Sequence, residues 1–323
     1  MGPEITSARS DHAGGVEPRI RVVVSCASRK RAPIPPRLRL GSIRRGRTRA
    51  RARVWLERLR SEPVETKPAR QLYAGDHWQV AMSILSENDA CALSIVSAGY
   101  GLITPDSPLK PYSATFSAGP DSIAPVGLDA ASAGREWWRA LTEAAAVDDG
   151  PRSLTELVAS KPAAVVLVAL SAPYVRALRD DLVSAARALG EGRLILVSVG
   201  TRHVDGLDGG LVPVSVELQR VLGGSRLSLN VRIARYLLGE SSTHQWKTAL
   251  ITDLLGSLVE HADPCARQRR ARMTDAEVMA FIQQARRAEP DVPKSHLLRR
   301  LRDGGRACEQ QRFGELFARS APR

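Results

Sequence analysis

Two β-rich runs, Ala163 to Leu170 and Arg193 to Val199, enclose a helical stretch from Tyr174 to Leu189. A strand, a helix and a second strand in that order fold back as a crossover, which sets the two strands parallel. Parallel strands need helices over both sheet faces. This unit therefore constrains the fold class to α/β, with a mixed, partly parallel sheet flanked by helices. Ile20 to Ser25 and Ala92 to Val96 read as further strands. Arg44 to Arg60, Ala69 to Ile84, Arg135 to Ala146 and Leu229 to Leu238 read as helices. A chain of 323 residues has room for such a domain and a small module besides.

Ser97 to Phe116 follows the Ala92–Val96 run and is the most unusual loop in the chain. Two glycines, three prolines and two tyrosines crowd into it, with Asp106 and Lys110. Aromatic residues make up only 4% of the chain, so their presence here points to a shaped wall. The strand ending in Ser25-Cys26-Ala27-Ser28-Arg29-Lys30 offers a small polar turn followed by cations, a pattern suited to an anion or to a solvated strand exit.

The net charge of +13 is concentrated in two places. Arg29 to Arg60 holds thirteen Lys/Arg against one acid, and Pro264 to Arg323 holds fourteen against seven; the rest is net acidic. Located basic segments on an acidic body suggest a polyanion, above all nucleic acid. In the Arg44–Arg60 helix, Ala52, Trp55, Leu56 and Leu59 make an apolar stripe, and Arg49, Arg51, Arg53, Arg58 and Arg60 are expected around the remainder. In the last segment, Thr274-Asp275-Ala276-Glu277 has a capping-box pattern, and Pro290 and Pro293 end the helix it opens. Ser295 is expected to cap a second helix with Arg299 and Arg300 outward. Gly304-Gly305 leads into a third, Arg306 to Ala318. Three short helices with a basic middle one suggest a helix-turn-helix-like module or a plain helical appendage. The expected organisation is a disordered tail over 1–18, an α/β domain over 19–245 with an arginine-rich insertion over 29–62, and a helical module over 264–323.

Four dispersed cysteines include no Cys-x-x-Cys, and six histidines include no His-x-x-x-His, so no metal is expected. Neither phosphate-loop pattern occurs, and no cofactor is expected. No signal peptide is apparent and no apolar run is long enough for a bilayer, so a cytoplasmic location with reduced thiols and no membrane partner is expected.

Leu72-Tyr73-Ala74-Gly75-Asp76-His77-Trp78, followed by Ser97-Ala98-Gly99-Tyr100-Gly101-Leu102-Ile103 and Pro111-Tyr112, resembles the YaaA-like DNA-binding family and related Ser-Ala-x-x-Gly-Leu domains. Arg232-Ile233-Ala234-Arg235-Tyr236 is similar to the late basic helix of those families. The resemblance spans roughly residues 20–240 and leaves out the arginine-rich insertion and the C-terminal module. This chain has Thr104-Pro105 and Ser113 to Phe116 where the family carries an arginine and a carboxylate-bearing ending. The resemblance implies an α/β fold that holds DNA against a cleft, with some relatives acting on bases in defence against phage.

The expected function is a DNA glycosylase that flips out and excises a modified base from phage DNA. The alternatives are an enzyme that alters a base without removing it, as in a 7-deazaguanine pathway, and a DNA-binding protein without activity. A flipped base needs aromatic walls and polar groups. Tyr73, Trp78, Tyr100 and Tyr112 are the candidate walls, and Ser25 and Ser97 the candidate polar readers. A carboxylate stabilises the positive charge that develops on the sugar. Asp106 and Asp76 are the candidates, although Asp76 equally suits a helix cap and Asp106 an Asx-turn. Lys30 or Lys110 would serve a Schiff-base variant. Lys30, Arg44, Arg45, Arg47, Lys110, Arg232, Arg235, Arg299 and Arg300 are the candidate contacts to the DNA backbone.

Overall fold

The computed structural model describes residues 19–320 apart from 45, 125–126, 128, 145–149, 162, 208, 262–270 and 290–291. The expected disordered tail over 1–18 lies outside the described residues. The chain divides into two compact units, Met1–His261 and Ala262–Arg323.

The first unit is α/β. Its elements begin with β1 (Ile20–Ser25), α1 (Thr48–Ser61), β2 (Lys67–Pro68), α2 (Ala69–Leu72) and α3 (Asp76–Glu87). They continue with β3 (Cys91–Ser97), β4 (Gly101–Ile103), β5 (Pro108–Leu109), α4 (Ala130–Glu143) and α5 (Leu154–Ser160). Next come β6 (Val165–Ala169), α6 (Ala172–Ala177), α7 (Arg179–Leu189), β7 (Leu194–Val197) and β8 (Leu211–Val212). The unit closes with α8 (Leu218–Leu222), α9 (Leu229–Gly239), α10 (Ser241–His244) and α11 (Thr248–Glu260).

Six strands form one sheet in the order β4-β3-β1-β6-β7-β8. All neighbours are parallel except β4, which returns antiparallel along β3. The expected crossover is therefore present as β6–α6–α7–β7, with the helical run broken in two at Leu178. β1 sits in the middle, and Val22, Val23 and Val24 are fully buried on both of its faces. Such a β-branched run is what a strand covered on both sides requires. Helices pack in two groups: α1 on α4, α4 on α6 and α5 on α7; and α3 on α9, with α8 on both α9 and α11.

The chain runs from β1 to β3 on one side, and only later places β6 on the other side of β1. Strand order thus reverses between β1 and β6. In an open α/β sheet the connections leave in opposite directions at such a point, and a crevice opens at the carboxyl ends of the strands.

The arginine-rich helix begins at Thr48 rather than at Arg44, and one of its arginines faces inward. Arg51 falls one turn before Trp55 on the inward face and is only 5% exposed. Its Nη1 donates to the Ile123 carbonyl at 2.5 Å.

The second unit has its own core of Met273, Val278, Ile282, Val292, Leu297, Leu298, Leu301, Cys308, Phe313 and Leu316. It consists of β9 (Ala271–Arg272), α12 (Asp275–Ala288), α13 (Lys294–Asp303), β10 (Arg306–Ala307) and α14 (Gln310–Arg319). Thr274 and Glu277 form the expected capping box. Two boundaries differ from expectation. Pro293 rather than Ser295 precedes α13, and no side chain caps its start. Arg306 and Ala307 pair parallel with Ala271 and Arg272, which delays the third helix to Gln310.

Candidate functional site

A cavity of about 440 Å³ opens at the reversal point. Its lining comes from the end of β1 and the residues that follow it (Ser25 to Arg29), the segment after β6 (Ser171 to Tyr174), Val199 beyond β7, the start of α3, and the turn before α9. Its volume lies within the roughly 300–1,000 Å³ of small-molecule sites.

Of the two candidate acids, only Asp76 lines this cavity. It is the first residue of α3, where the helix dipole favours a negative charge. Ser228 Oγ donates to its Oδ2 at 2.5 Å, and Arg232 Nη2 donates to its Oδ1 at 2.5 Å. The Ser228 hydroxyl first, and Arg232 after it, hold the Asp76 carboxyl below its ordinary range. The group is an anion at neutral pH. Asp106 does not line the cavity. It is an exposed loop residue paired with Arg70.

His77 follows Asp76 and lines the same cavity. Its Nε2 donates to the Ser25 carbonyl at 2.8 Å, which makes Nδ1 the acceptor of the neutral ring. That Nδ1 is buried and has no partner among the described residues. Burial pushes the imidazole below its ordinary value, against the opposing pull of the Ser25 carbonyl and Asp76.

Ser25 is the one candidate pocket residue that reaches the cavity. Tyr73, Trp78, Ser97 and Tyr112 are instead core residues, each no more than 2% exposed. Tyr112 Oη lies 2.8 Å from Tyr73 Oη and 2.6 Å from Ser97 Oγ. Ser97 Oγ also accepts from the Gly99 and Tyr100 amides. The Tyr100 hydroxyl accepts from the Lys110 amide at 2.9 Å. A side chain at Gly99 would collide with the Tyr112 ring, which explains a glycine there. Burial pushes the Tyr73, Tyr100 and Tyr112 phenols up, so all three stay neutral. The loop Ser97 to Phe116 thus folds its aromatic residues inward as a hydrogen-bonded plug and gives only Ala114 and Thr115 to the cavity.

The aromatic surface that does line the cavity is Tyr174, at the start of α6. Its hydroxyl lies 3.4 Å from Cys26 Sγ, and its ring meets Phe116 edge-on at 5.0 Å. Asn230 holds the floor by accepting from the Val199 amide and donating to the Leu170 carbonyl, which links the ends of β6 and β7. Sequence reading missed Tyr174 and Asn230. The available signal was position, since Ser171 to Tyr174 follows directly on the carboxyl end of a parallel strand.

Several candidate phosphate-gripping cations are committed elsewhere. Lys30 Nζ donates to the Ala27 and Ser28 carbonyls and sits 4.2 Å from the Tyr112 ring centroid. Burial pushes its ammonium down. Lys110 Nζ donates to the Arg60 and Glu62 carbonyls at the end of α1, where a cation complements the helix dipole. Arg232 is held by Asp76, and also donates to the Leu222 carbonyl. Gly224 leaves the space for it, since a side chain there would collide with the guanidinium. Arg235 forks onto Glu87 with two 2.7 Å bonds, and Arg300 pairs with Glu289. Arg44, Arg47 and Arg299 are exposed, and Arg45 lies outside the described residues. Two further exposed cations, Arg29 and Arg226, line the cavity. Neither is in an ion pair among the described residues.

No group of three or more His, Cys, Asp or Glu side chains among the described residues is arranged to hold a metal. No described helix is long and apolar enough to cross a membrane. No protein-family model matches this chain, and no curated protein or solved structure matches it.

Proposed function

We propose that the cavity between β1 and β6 receives a base turned out of DNA, and that the protein is a DNA glycosylase acting on a modified base. One observation carries this reading: a cavity of base-binding size, at the strand reversal, joins an ionised carboxylate to an aromatic wall beneath two exposed arginines. The base would lie against Tyr174 and Pro173. The hydroxyls of Ser25 and Thr115 would read its polar edge, and Arg29 and Arg226 would hold the flanking phosphates.

In the reaction the bond from the sugar C1′ to the base breaks, and its electron pair leaves on the base. Asp76 stabilises the positive charge that builds on the sugar. Water adds its oxygen to C1′, and its proton neutralises the departing base. The resemblance of Leu72–Trp78 and Ser97–Tyr112 to a DNA-binding family adds to this reading.

A second reading is DNA binding without chemistry. It is favoured by the engagement of both Asp76 oxygens with Ser228 and Arg232, which also describes a structural anchor. An assay of abasic sites separates the two. Duplexes carrying 7-deazaguanine, 5-hydroxymethylcytosine or uracil are incubated with the protein beside an unmodified duplex. Release from a modified duplex is expected, and Asp76→Asn is expected to lower its rate on the order of 100-fold with little change in affinity. Asp106→Asn is expected to match the unaltered protein, because it lies outside the cavity. Binding without base release from any modified duplex leaves the second reading.

A further inference from the structure

Leu227 is 86% exposed, against 40% or less for the other exposed large hydrophobic residues among those described. It lies at the edge of the cavity, next to Arg226. A mobile loop often carries such a residue, but this one stands on a fixed turn. Ser225 and Ser228 cap each other across the short 3-10 helix Arg226–Ser228. Ser228 is fully buried and its hydroxyl is bonded to Asp76. The next residue, Leu229, is buried and opens α9. Both flanks of Leu227 are thus anchored while its side chain stands in water.

An apolar side chain on an anchored turn beside an exposed guanidinium suits a partner that is anionic outside and apolar within. A nucleic-acid duplex has that character, because phosphates surround stacked bases. Turning a base out leaves a gap in the stack, and an apolar side chain entering the gap restores contact and keeps the base from returning. We propose that Leu227 is a wedge that enters the base stack while the displaced nucleotide occupies the adjacent cavity. This rests on the cavity's being a base pocket. Leu227 would act as a positioning residue and Arg226 would contact the neighbouring phosphate.

The test uses full-length protein and a duplex with 2-aminopurine beside the target base, whose fluorescence rises when stacking is lost. A matching single strand needs no flipping. The unaltered protein is expected to raise the fluorescence of the duplex on binding. Leu227→Ala is expected to reduce that rise at least fivefold and Leu227→Met to restore it. Leu227→Ala should leave single-strand affinity within twofold, with an unchanged unfolding midpoint. Three results overturn the wedge: no fluorescence rise with the unaltered protein, an equal loss on duplex and single strand, or a dimer in sedimentation that Leu227→Ala dissolves. Because the signal needs no bond cleavage, a fluorescence rise without base release sinks the glycosylase reading and leaves the wedge standing. Absence of DNA binding sinks both.

Discussion

At the scale of single residues, the site depends on how His77 is held. Its Nε2–H is spent on the Ser25 carbonyl, and Nδ1 is enclosed without a donor among the described residues. Protonating Nδ1 would place a charge where nothing accepts its hydrogen, so burial keeps the folded imidazole below the ordinary 6.5. As pH falls through that value the unfolded chain takes up the proton first. Proton uptake by the unfolded state draws the equilibrium towards it, so stability is lost below pH 6.5 and levels off beneath the folded value. Urea midpoints at pH 7.5 and 5.5 should therefore differ, with the lower one at pH 5.5. His77→Gln should narrow that difference; an unchanged difference would show that the ring is not the titrating group. The sequence contains His77 but not its environment. Ser25 is 52 positions away, and the bond between them forms because the fold brings the first turn of α3 to the end of β1.

At the scale of elements, strands are more legible in the sequence than helix surfaces. Ile20–Ser25 carries β-branched residues at Ile20 and at Val22 to Val24, and its limits can be read directly. β4 has only three residues and forms inside a loop rich in glycine and proline, so no periodicity marks it. In α1, composition hides the geometry. Thr48, Arg51, Ala52, Trp55 and Leu59 share one buried face by helical spacing, yet charge alone groups Arg51 with the outward arginines. The two kinds of arginine should differ in what substitution costs. Arg51→Met leaves the Ile123 carbonyl without its donor and should cost about 1–3 kcal/mol. Exposed Arg53→Gln should change stability by no more than about 0.5 kcal/mol. Denaturant titration of both variants checks this, and equal costs would contradict the inward placement. The aromatic loop follows the same physics. The Tyr73 and Tyr112 hydroxyls and Ser97 satisfy one another and the Tyr100 hydroxyl is satisfied by the Lys110 backbone, so they form a core plug, while the cavity takes its wall from Tyr174 on another element.

At the scale of the molecule, the strand reversal explains why residues from distant segments converge. β1 ends at Ser25, β6 at Ala169 and β7 at Val197, and the parallel order brings these ends to one edge. The parallel unit is legible in the sequence, but the central place of β1 is not, because it depends on long-range pairing. Net charge raises the last question at this scale: which unit would contact DNA. In the second unit Arg300, Arg312 and Arg286 are engaged by Glu289, Asp275 and the Phe317 ring. Arg287, Arg299 and Arg306 are exposed and in no ion pair among the described residues. If the module grips the backbone, these three release counterions on binding. Changing all three to Gln should then flatten the plot of log affinity against log salt by about 0.9 for each phosphate that is no longer neutralised. Affinity should fall alike for modified and plain duplexes, since phosphate contacts carry no base information. Filter binding at several salt concentrations measures the slope. An unchanged slope would move the electrostatic footprint to the first unit, where Arg29, Arg44, Arg47 and Arg226 are the exposed cations to test next.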